Sequence, residues 1–298
     1  MYPSMFEMFN EGEQKSGPTE ISPLSHSPAG NFFSISIGGS ILIDDKPDVD
    51  RIAKFSETIN RLQQEGYKFA LVVGGGKTCR NYQAAAKALG ANNYFLDEIG
   101  IKVTRINASL LTQTIDNAFQ EVLTDVSRVA DILSQGKVPI FGGLLPGITT
   151  DAVAALIAER MQGTFINLSN VDGIYSSDPR KSAGAKFYPE LSYERLVGII
   201  QLAEAKPGQN VVLDLPAALI LKRSVIRALF LNGDDLENFE SAVRGGSFNG
   251  TVVCEGTLEE EPEAKTTRRR VAKRRKSRVK EEIEDEEYTP PEPDEIDF

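Results

Sequence analysis

Three glycine clusters in this sequence are suited to binding an anion such as a phosphate. They are Gly38-Gly39-Ser40, Gly74-Gly75-Gly76-Lys77 and Gly142-Gly143, the last followed by Pro146-Gly147. Each follows an apolar run that predicts a buried strand. Glycine at a strand end lets backbone N–H groups approach an anion, and a following helix adds the positive end of its dipole. Glycine also turns chains, but three such clusters together favour a phosphate site.

The second cluster carries two cations, Lys77 and Arg80, within one helical turn. Gly76-Lys77-Thr78 imitates the end of a P-loop, G-x-x-x-x-G-K-[ST]. The first glycine of that motif would stand at position 71, where the sequence has Leu71 inside a predicted strand. An ordinary P-loop NTPase is therefore disfavoured. The cations either neutralise a phosphate held by the glycine loop or merely solvate a helix.

Two polar segments further along the chain carry side chains that could contact a ligand. Thr149-Thr150-Asp151 places two hydroxyls and a carboxylate at a predicted helix start, where the same residues also serve as caps. The loop Ser169–Tyr175 follows a predicted strand and leads to Asp178. Taken alone, this loop is rich in turn residues. The Tyr175 ring and the Asp178 carboxylate would indicate a binding site only if a nucleotide lay nearby.

The elements that must position these segments alternate between strands and helices. Predicted strands are 32–37, 69–73, 138–141, 164–168, 228–231 and 251–254, and predicted helices are 48–66, 79–89, 101–122, 152–161, 193–203 and 216–222. This alternation predicts an α/β fold with a mostly parallel sheet. In such sheets ligands bind beyond the carboxyl ends of the strands. That is where the glycine clusters stand.

Composition excludes several classes of protein. The 298 residues contain one histidine, His26, and two cysteines, Cys79 and Cys254, and carry a net charge of −10. A lone histidine in a polar N-terminal stretch disfavours Ser-His-Asp, Cys-His and His-ligated metal chemistry. The negative charge argues against nucleic-acid binding by the chain as a whole. No apolar run approaches the roughly 18 residues of a membrane span, and no secretory signal is recognisable, so we expect a cytoplasmic protein.

The two ends of the chain differ from its centre in composition. Residues 1–30 are rich in Ser, Pro and Gly and predict a disordered arm, residues 31–256 predict one domain, and residues 257–298 predict a disordered charged tail. Residues 265–280 contain ten Lys or Arg and no acid, whereas residues 281–298 are acidic. The basic segment either contacts nucleic acid or a protein, or is part of a self-neutralising linker.

Taken together, these motifs resemble the amino acid kinase family and, within it, the archaeal-type uridylate (UMP) kinases. The resemblance rests on IGGS at 37–40, VVGGGK at 72–77, DEIGIKVTRINA at 97–108, PGITTDAVAALIAE at 146–159, NVDGIYSSDPRK at 170–181 and NGT at 249–251. It implies a three-layer αβα fold with a central, mostly parallel sheet. It also implies an ATP-dependent, Mg²⁺-dependent UMP kinase of pyrimidine nucleotide synthesis that assembles as a homohexamer.

The resemblance also implies roles for individual residues. For ATP it implies contacts from Gly38, Gly39, Ser40, Gly76, Arg80, Ser169, Asn170, Tyr175 and Asp178. For UMP it implies contacts from Gly75, Asp97, Leu144, Leu145, Pro146, Gly147, Ile148, Thr149 and Thr150. It implies catalytic roles for Arg80, Lys77 and Asp214, although Asp214 is equally suited to cap a helix. No protein side chain is assigned as a metal ligand.

Two positions depart from the wider family and leave other functions open. Many relatives have lysines where this sequence has Ser36 and Leu219; the archaeal UMP branch also lacks the first. A kinase for another small acid or phosphate is one alternative, although the lack of a histidine outside the arm disfavours an isopentenyl phosphate kinase. A non-catalytic binding protein on the same scaffold is the other. The adenosine-type loop with Asn170 and Tyr175 weighs against that second alternative.

Overall fold

A computed structural model of the chain describes residues 30–43, 45–177, 179–180, 182, 184–204 and 212–255. The strands are β1 (Phe32–Ile37), β2 (Lys68–Val73), β3 (Ile140–Phe141), β4 (Thr164–Ser169), β5 (Ile174–Tyr175), β6 (Phe187–Tyr188), β7 (Glu190–Leu191), β8 (Ala228–Asn232) and β9 (Thr251–Val253). The α-helices are α1 (Gly39–Leu42), α2 (Val49–Gln64), α3 (Gly76–Ala88), α4 (Asn93–Thr114), α5 (Val129–Ser134), α6 (Thr150–Met161), α7 (Tyr193–Glu204), α8 (Leu215–Arg223) and α9 (Leu236–Val243).

Seven strands form one sheet in the order β3, β2, β1, β4, β8, β9, β7. β1 pairs in parallel with both β2 and β4, and the pairs β2–β3 and β4–β8 are also parallel. β9 runs antiparallel to β8, and β7 runs parallel to β9. β5 and β6 form a separate antiparallel pair. The predicted central, mostly parallel sheet is therefore confirmed.

Alternation along β1 assigns the helices to two layers. Phe33 and Ile35 lie in a core shared with α2, α4 and α9. Ser34 and Ser36 lie on the opposite face of the sheet, where the Ser34 hydroxyl donates to the Ala154 carbonyl of α6 at 2.7 Å. The core on that face draws on α5, α6, α7 and α8. Since helices cover both faces, the predicted three-layer αβα architecture is confirmed.

Helix α6 lies close against the sheet because its buried face is built from small side chains. Ala154, Ala155 and Ala158 have no exposed surface. The Thr149 side chain caps the helix by accepting a hydrogen bond from the Ala152 N–H at 3.0 Å. Such close packing brings the first turn of α6 within hydrogen-bond distance of β1.

Several predicted boundaries were wrong. α3 begins at Gly76, three residues before the predicted Cys79. The helix predicted over 101–122 is α4, which begins at Asn93 because the Asn92 side chain accepts from the Phe95 N–H at 3.0 Å. It ends at Thr114, although the apolar pattern continues in residues that pack into the core without helical structure.

Four kinds of element were not predicted: the short helix α1, helices α5 and α9, the ribbon β5–β6 and the edge strand β7. α9 has a recognisable start, since Asp235 accepts from the Asn238 N–H at 3.0 Å. Among the described helices, none combines the length and apolar character that crossing a membrane requires. The predicted tail and nearly all of the predicted arm lie outside the described residues, so the domain boundaries stay predictions.

Candidate functional site

The carboxyl ends of β1 and β2 bring the first two glycine clusters into contact. The Gly74 N–H donates to the Ile37 carbonyl at 2.9 Å, which extends the parallel pairing past both strands. A Cβ added to Gly39 would lie 1.9 Å from the Gly76 nitrogen, so a side chain at position 39 is excluded. The two clusters form one backbone surface at the carboxyl edge of the sheet, where parallel sheets bind ligands.

Gly76 is required for both its conformation and its surroundings. Its φ is +64°, in the left-handed region that favours glycine. A Cβ there would lie 2.4 Å from the Ile43 carbonyl oxygen and 2.9 Å from the Gly39 oxygen. Gly76 also begins α3, a helix of 13 residues. The site therefore combines a tight glycine turn with a helix N-terminus, an arrangement that favours an anion.

The third glycine cluster lies against α4 rather than against the other two. The Gly143 N–H donates to the Thr104 hydroxyl at 2.8 Å, and a Cβ on Gly142 would lie 2.7 Å from the Arg105 nitrogen. Thr104 also approaches the second cluster, because a Cβ on Gly75 would lie 3.5 Å from its methyl group. The buried Thr104 thus stands between two of the predicted phosphate-binding segments.

A cleft of about 550 Å³ opens beside the first two clusters. Five of the residues predicted to contact ATP line it, namely Ser40, Arg80, Ser169, Asn170 and Tyr175. Its opposite wall is apolar and includes Leu196 and Ile200 of α7 together with Leu213. One polar end with a cation and one apolar wall suit a ligand that combines an anion with a planar ring.

Tyr175 is held in place at this cleft by two contacts. Its hydroxyl donates to Asp172 Oδ2 at 3.2 Å, and its ring packs on Phe187 with centroids 5.1 Å apart. Burial, followed by the negative charge of Asp172, raises the pKa of Tyr175 to about 12. The Tyr175 hydroxyl therefore keeps its proton at physiological pH. Asp178, also predicted to contact ATP, lies outside the described residues.

The two cations of α3 differ in their surroundings. Arg80 is exposed and lines the cleft. Lys77 is also exposed, and its ammonium pairs with the Asp45 carboxylate at 2.7 Å. A phosphate that recruits Lys77 must therefore compete with Asp45. Exposed ion pairs of this kind are worth little, so such an exchange costs at most about 1 kcal/mol.

Thr149 and Asp214 join the starts of two helices. Asp214 caps α8 by accepting from the Ala217 N–H at 2.8 Å, and Thr149 caps α6. The Thr149 hydroxyl also donates to the Asp214 carboxylate. The capping interpretation of Asp214 is thus correct, and the same contact links Asp214 to the segment predicted to surround UMP.

Asp151, which the sequence places at a helix start without giving it a separate role, is a further carboxylate of the site. It accepts hydrogen bonds at Oδ1 from Ser36 Oγ at 2.5 Å and from Asn167 Nδ2 at 3.1 Å. Burial raises the pKa of Asp151 to about 6; the Asp214 charge adds to that rise, while the two hydrogen bonds oppose it. Asp151 therefore changes protonation close to neutral pH. The alternation of β1, which turns Ser36 towards α6, is the sequence feature from which this contact follows.

Residues predicted to contact UMP meet on the other side of Gly75. Asp97 Oδ2 accepts from the Gly147 N–H at 2.8 Å, which joins α4 to the segment Leu144–Thr150. Asn107 Nδ2 donates to the carbonyls of Gly74 and Gly75 at 2.9 and 3.3 Å. Asn107 and Thr104 were not predicted. Their spacing along α4 places them on one helical face with Asp97.

Comparison with known proteins identifies the family. A model of the amino acid kinase family matches residues 33–232. The uridylate kinase of Archaeoglobus fulgidus is 42% identical over 221 residues, which are 74% of this chain and 98% of that protein. The uridylate kinase of Thermococcus sibiricus is 40% identical over 219 residues, 73% of this chain and 96% of that protein. This chain belongs to the amino acid kinase family.

The structure of this amino acid kinase agrees with that assignment. The crystal structure of the Archaeoglobus fulgidus uridylate kinase matches it with a TM-score of 0.67 at 40% identity, covering 76% of this chain and all of that one. The predicted resemblance to archaeal-type uridylate kinases is thereby confirmed.

The two departures from the wider family have different surroundings in this kinase. Ser36 is buried, and its hydroxyl donates to Asp151. Leu219 lies on α8 with 46% of its surface exposed. Among the described residues, no group of three or more His, Cys, Asp or Glu side chains is placed to hold a metal ion.

Proposed function

We propose that this chain is a UMP kinase that transfers the γ-phosphoryl group of ATP to UMP, giving UDP and ADP. The observation that supports the proposal most directly is that the cleft and the segment held by α4 adjoin the same turn, Gly75-Gly76. Gly76 packs on Gly39 beside the cleft, and the Gly75 carbonyl is held by α4, which also holds the segment Leu144–Thr150. Phosphoryl transfer needs two anions placed in line, and a shared backbone turn supplies such a junction.

The cleft beside Ser40 and Arg80 is the proposed ATP site. Backbone N–H groups of Gly38, Gly39 and Gly76 would hold phosphate oxygens, with Arg80 and Lys77 neutralising charge. The adenosine would lie against the apolar wall from α7, near Ser169, Asn170, Tyr175 and Asp178. The roles of these residues rest on the motif resemblance and on their common location at the cleft.

The proposed UMP site lies between Gly75, Asp97 and the segment Leu144–Thr150. Asp97 would bind the ribose hydroxyls, and the segment would surround the uracil. The Gly147 N–H donates to one oxygen of Asp97. A carboxylate has further acceptor positions on both oxygens, so ribose binding does not require that this bond break.

This reaction requires no general base from the protein. A phosphate oxygen of UMP is the nucleophile and is already ionised at neutral pH, which suits a site without histidine. Mg²⁺ would neutralise charge on the transferred phosphates, and it would be held chiefly by phosphate oxygens. Asp151 and Asp214 fit this arrangement, because their carboxylates lie at adjoining helix starts and can accept hydrogen bonds from its water ligands. The protein's own part is to orient both phosphates and exclude competing acceptors.

An ADP-release assay with ATP and Mg²⁺ tests the proposal, with UMP, CMP, dUMP and AMP compared as acceptors. We expect strong turnover with UMP. Turnover confined to another acceptor would overturn the substrate assignment while keeping a kinase. ATP binding without turnover of any acceptor would instead support a binding protein, an alternative that the absence of lysine at positions 36 and 219 leaves open.

We also propose that the kinase forms a homohexamer. α3, the residue Leu89 that follows it, and α4 expose large apolar side chains, namely Tyr82, Leu89, Tyr94, Phe95 and Ile106, with Leu89 88% exposed. Contiguous exposed apolar side chains are typical of protein interfaces. Sedimentation velocity would test this: a monomer at micromolar concentration would contradict it. A cytoplasmic location and a contact of nucleic acid or protein with residues 265–280 stay predictions.

A further inference from the structure

One face of α4 holds the backbone of two separate loops at the carboxyl edge of the sheet. Asn107 holds the Gly74 and Gly75 carbonyls, Thr104 accepts from the Gly143 N–H, and Asp97 accepts from the Gly147 N–H. These side chains recur at helical spacing and so share one face. A single rigid element therefore sets the distance between the glycine turn and the segment Leu144–Thr150.

Arg105 belongs to the same set of contacts and has no assigned role. Its Nε donates to the Gly143 carbonyl at 3.0 Å, and its Nη2 donates to the Leu144 carbonyl at 3.3 Å. The side chain is partly buried, and no carboxylate of the described residues forms an ion pair with it. A partly buried guanidinium whose Nε and Nη2 bind two successive backbone carbonyls is a planar fork that orients the chain it binds.

The bonds of Arg105 end where the exposed part of the loop begins. Gly143 is buried, whereas Leu145 and Gly147 are exposed. Beyond Leu144, the described contacts of the loop are the Ile148 N–H to the Leu145 carbonyl at 3.2 Å, the Gly147 bond to Asp97, and the Thr149 bonds. Arg105 therefore holds the two carbonyls at the point where the loop leaves the sheet, while Thr104 holds the Gly143 N–H beside them.

We propose that Arg105 is a positioning residue for the acceptor nucleotide. It holds the Gly143 and Leu144 carbonyls towards α4, so that the loop presents its exposed face to UMP at a fixed distance from Gly75. This inference rests on the proposed function for its acceptor, UMP. It adds a residue that does not itself touch the substrate.

The chemistry of the fork makes a specific substitution informative. Lys keeps the positive charge but places its donors on one nitrogen, so Arg105→Lys cannot reproduce the paired Nε and Nη2 geometry. Arg105→Met keeps the aliphatic length and removes all donors. The matched control is Lys102→Met on the same helix, because Lys102 is exposed and has no part in the site.

Steady-state kinetics with each substrate varied in turn forms the first arm of the test. We expect Arg105→Met to raise KM for UMP by about tenfold and Arg105→Lys by a smaller factor. The KM for ATP should stay within about twofold, since loss of acceptor positioning weakens acceptor binding before it affects the other site. Equal losses at both substrates together with a large fall in Tm would show a merely structural residue and overturn the proposal.

Hydrogen exchange without nucleotide forms the second arm and does not depend on which acceptor is used. We expect faster exchange at the Gly147 and Ile148 amides in Arg105→Met, with α6 and the sheet unchanged and Lys102→Met like the wild type. Unchanged exchange at both amides would overturn the proposal even if UMP is turned over. Should wild-type enzyme prefer another acceptor, the proposed function fails while the KM comparison and the exchange result still decide the role of Arg105.

Discussion

Ser36 donates a hydrogen bond of 2.5 Å to Asp151, from the buried carboxyl end of β1 to the first turn of α6. The bond joins the strand that ends in Gly38-Gly39 to the helix that follows the proposed acceptor loop. Ser36 stands where many relatives of the wider family have a lysine. The hydroxyl of Ser36 is neutral, so the burial of Asp151 outweighs the hydrogen bond and raises its pKa.

Replacing Ser36 should change the pH dependence of the reaction. The Ser36 hydrogen bond favours the ionised form of Asp151, so Ser36→Ala should raise the pKa of Asp151 above about 6. A hydrogen bond to a charged group is worth about 1.5 kcal/mol, which corresponds to a shift of about one unit. We expect the acidic limb of the kcat/KM profile to move upward by that amount.

Ser34→Ala is the matched control for this experiment. Ser34 is equally buried on the same face of β1, but its hydroxyl donates to the Ala154 carbonyl, which does not titrate. The control should lose a similar amount of stability, about 1 kcal/mol, without any shift of the profile. Identical profiles for the two variants would show that Asp151 does not govern the acidic limb.

Asp151→Asn should remove a pH-dependent cost to folding. Because burial raises the pKa of Asp151 from 3.8 to about 6, the folded state prefers the protonated form. The wild type therefore loses this stability as pH rises from about 4 to about 6, whereas the amide does not titrate. Between pH 4.5 and pH 7.5, urea unfolding should show Asp151→Asn gaining about 2 kcal/mol of stability relative to the wild type.

Asp125 provides a control of opposite sign for the unfolding experiment. Hydrogen bonds from the Ser127 side chain and backbone lower the pKa of Asp125. Its stabilising contribution is present above the unfolded pKa and is lost as pH falls through the folded value. Asp125→Asn should thus be less stable than the wild type at neutral pH, with the difference shrinking in acid. The same slope for both variants would contradict the pKa assignment of Asp151.

The sheet was predictable from sequence because its central strands are short, mostly buried segments rich in apolar and β-branched residues, each followed by glycine or a polar loop. The bounds of β1 were predicted as observed, and β2 and β4 differ from prediction by one residue at one end. The end of helix α4 was not predicted correctly, because Ile115 and Leu123 are buried in the core outside any helix. These residues prolong the apolar pattern beyond Thr114. Apolar spacing indicates which residues are buried, and beyond Thr114 the buried residues are not helical.

The site was predictable where backbone conformation demands a residue type and unpredictable where contacts are tertiary. The glycine clusters were recognisable in the sequence because the backbone requires glycine there: Gly76 has a positive φ and no room for a Cβ. The partners of Asp151 come from β1 and β4, and no local spacing relates Ser36 to position 167. Thr104 and Arg105 belong to a motif that was recognised, but only the fold shows which loop they hold.

Gly76→Ala should disable the proposed phosphate site by steric clash. The added Cβ would lie 2.4 Å from the Ile43 oxygen, so the turn between β2 and α3 must move. Positive φ alone costs about 1–2 kcal/mol at a non-glycine residue. The control is Gly136→Ala, where φ is +71° but nothing lies within 4 Å of the Cβ. We expect calorimetry to show loss of ATP binding only in Gly76→Ala. Equal loss of ATP binding in both variants would show that backbone strain at positive φ, rather than the steric clash of the added Cβ, causes the loss.

Arg80 and Asp97 should each be required for turnover, for different reasons. Arg80 lines the cleft and would neutralise transferred phosphate charge, so Arg80→Ala should lower kcat/KM at least ~100-fold, a loss of about 2.7 kcal/mol of transition-state stabilisation. Asp97→Asn should lose as much through the ribose contact. Lys87→Ala, an exposed cation on the same helix as Arg80, is the control and should leave kcat/KM within twofold.

Varying each substrate separates the two proposed sites. In Asp97→Asn the KM for UMP should rise while the KM for ATP stays near the wild-type value, because the Asp97 carboxylate contacts Gly147 on the acceptor side of Gly75. In Arg80→Ala kcat itself should fall, since the guanidinium acts on charge that moves in the transition state. Near-wild-type activity in both variants would contradict the assignment of this carboxyl edge as the site of phosphoryl transfer. If Asp97→Asn instead raised the KM for ATP, ATP would be assigned to the side of Asp97 and UMP to the cleft.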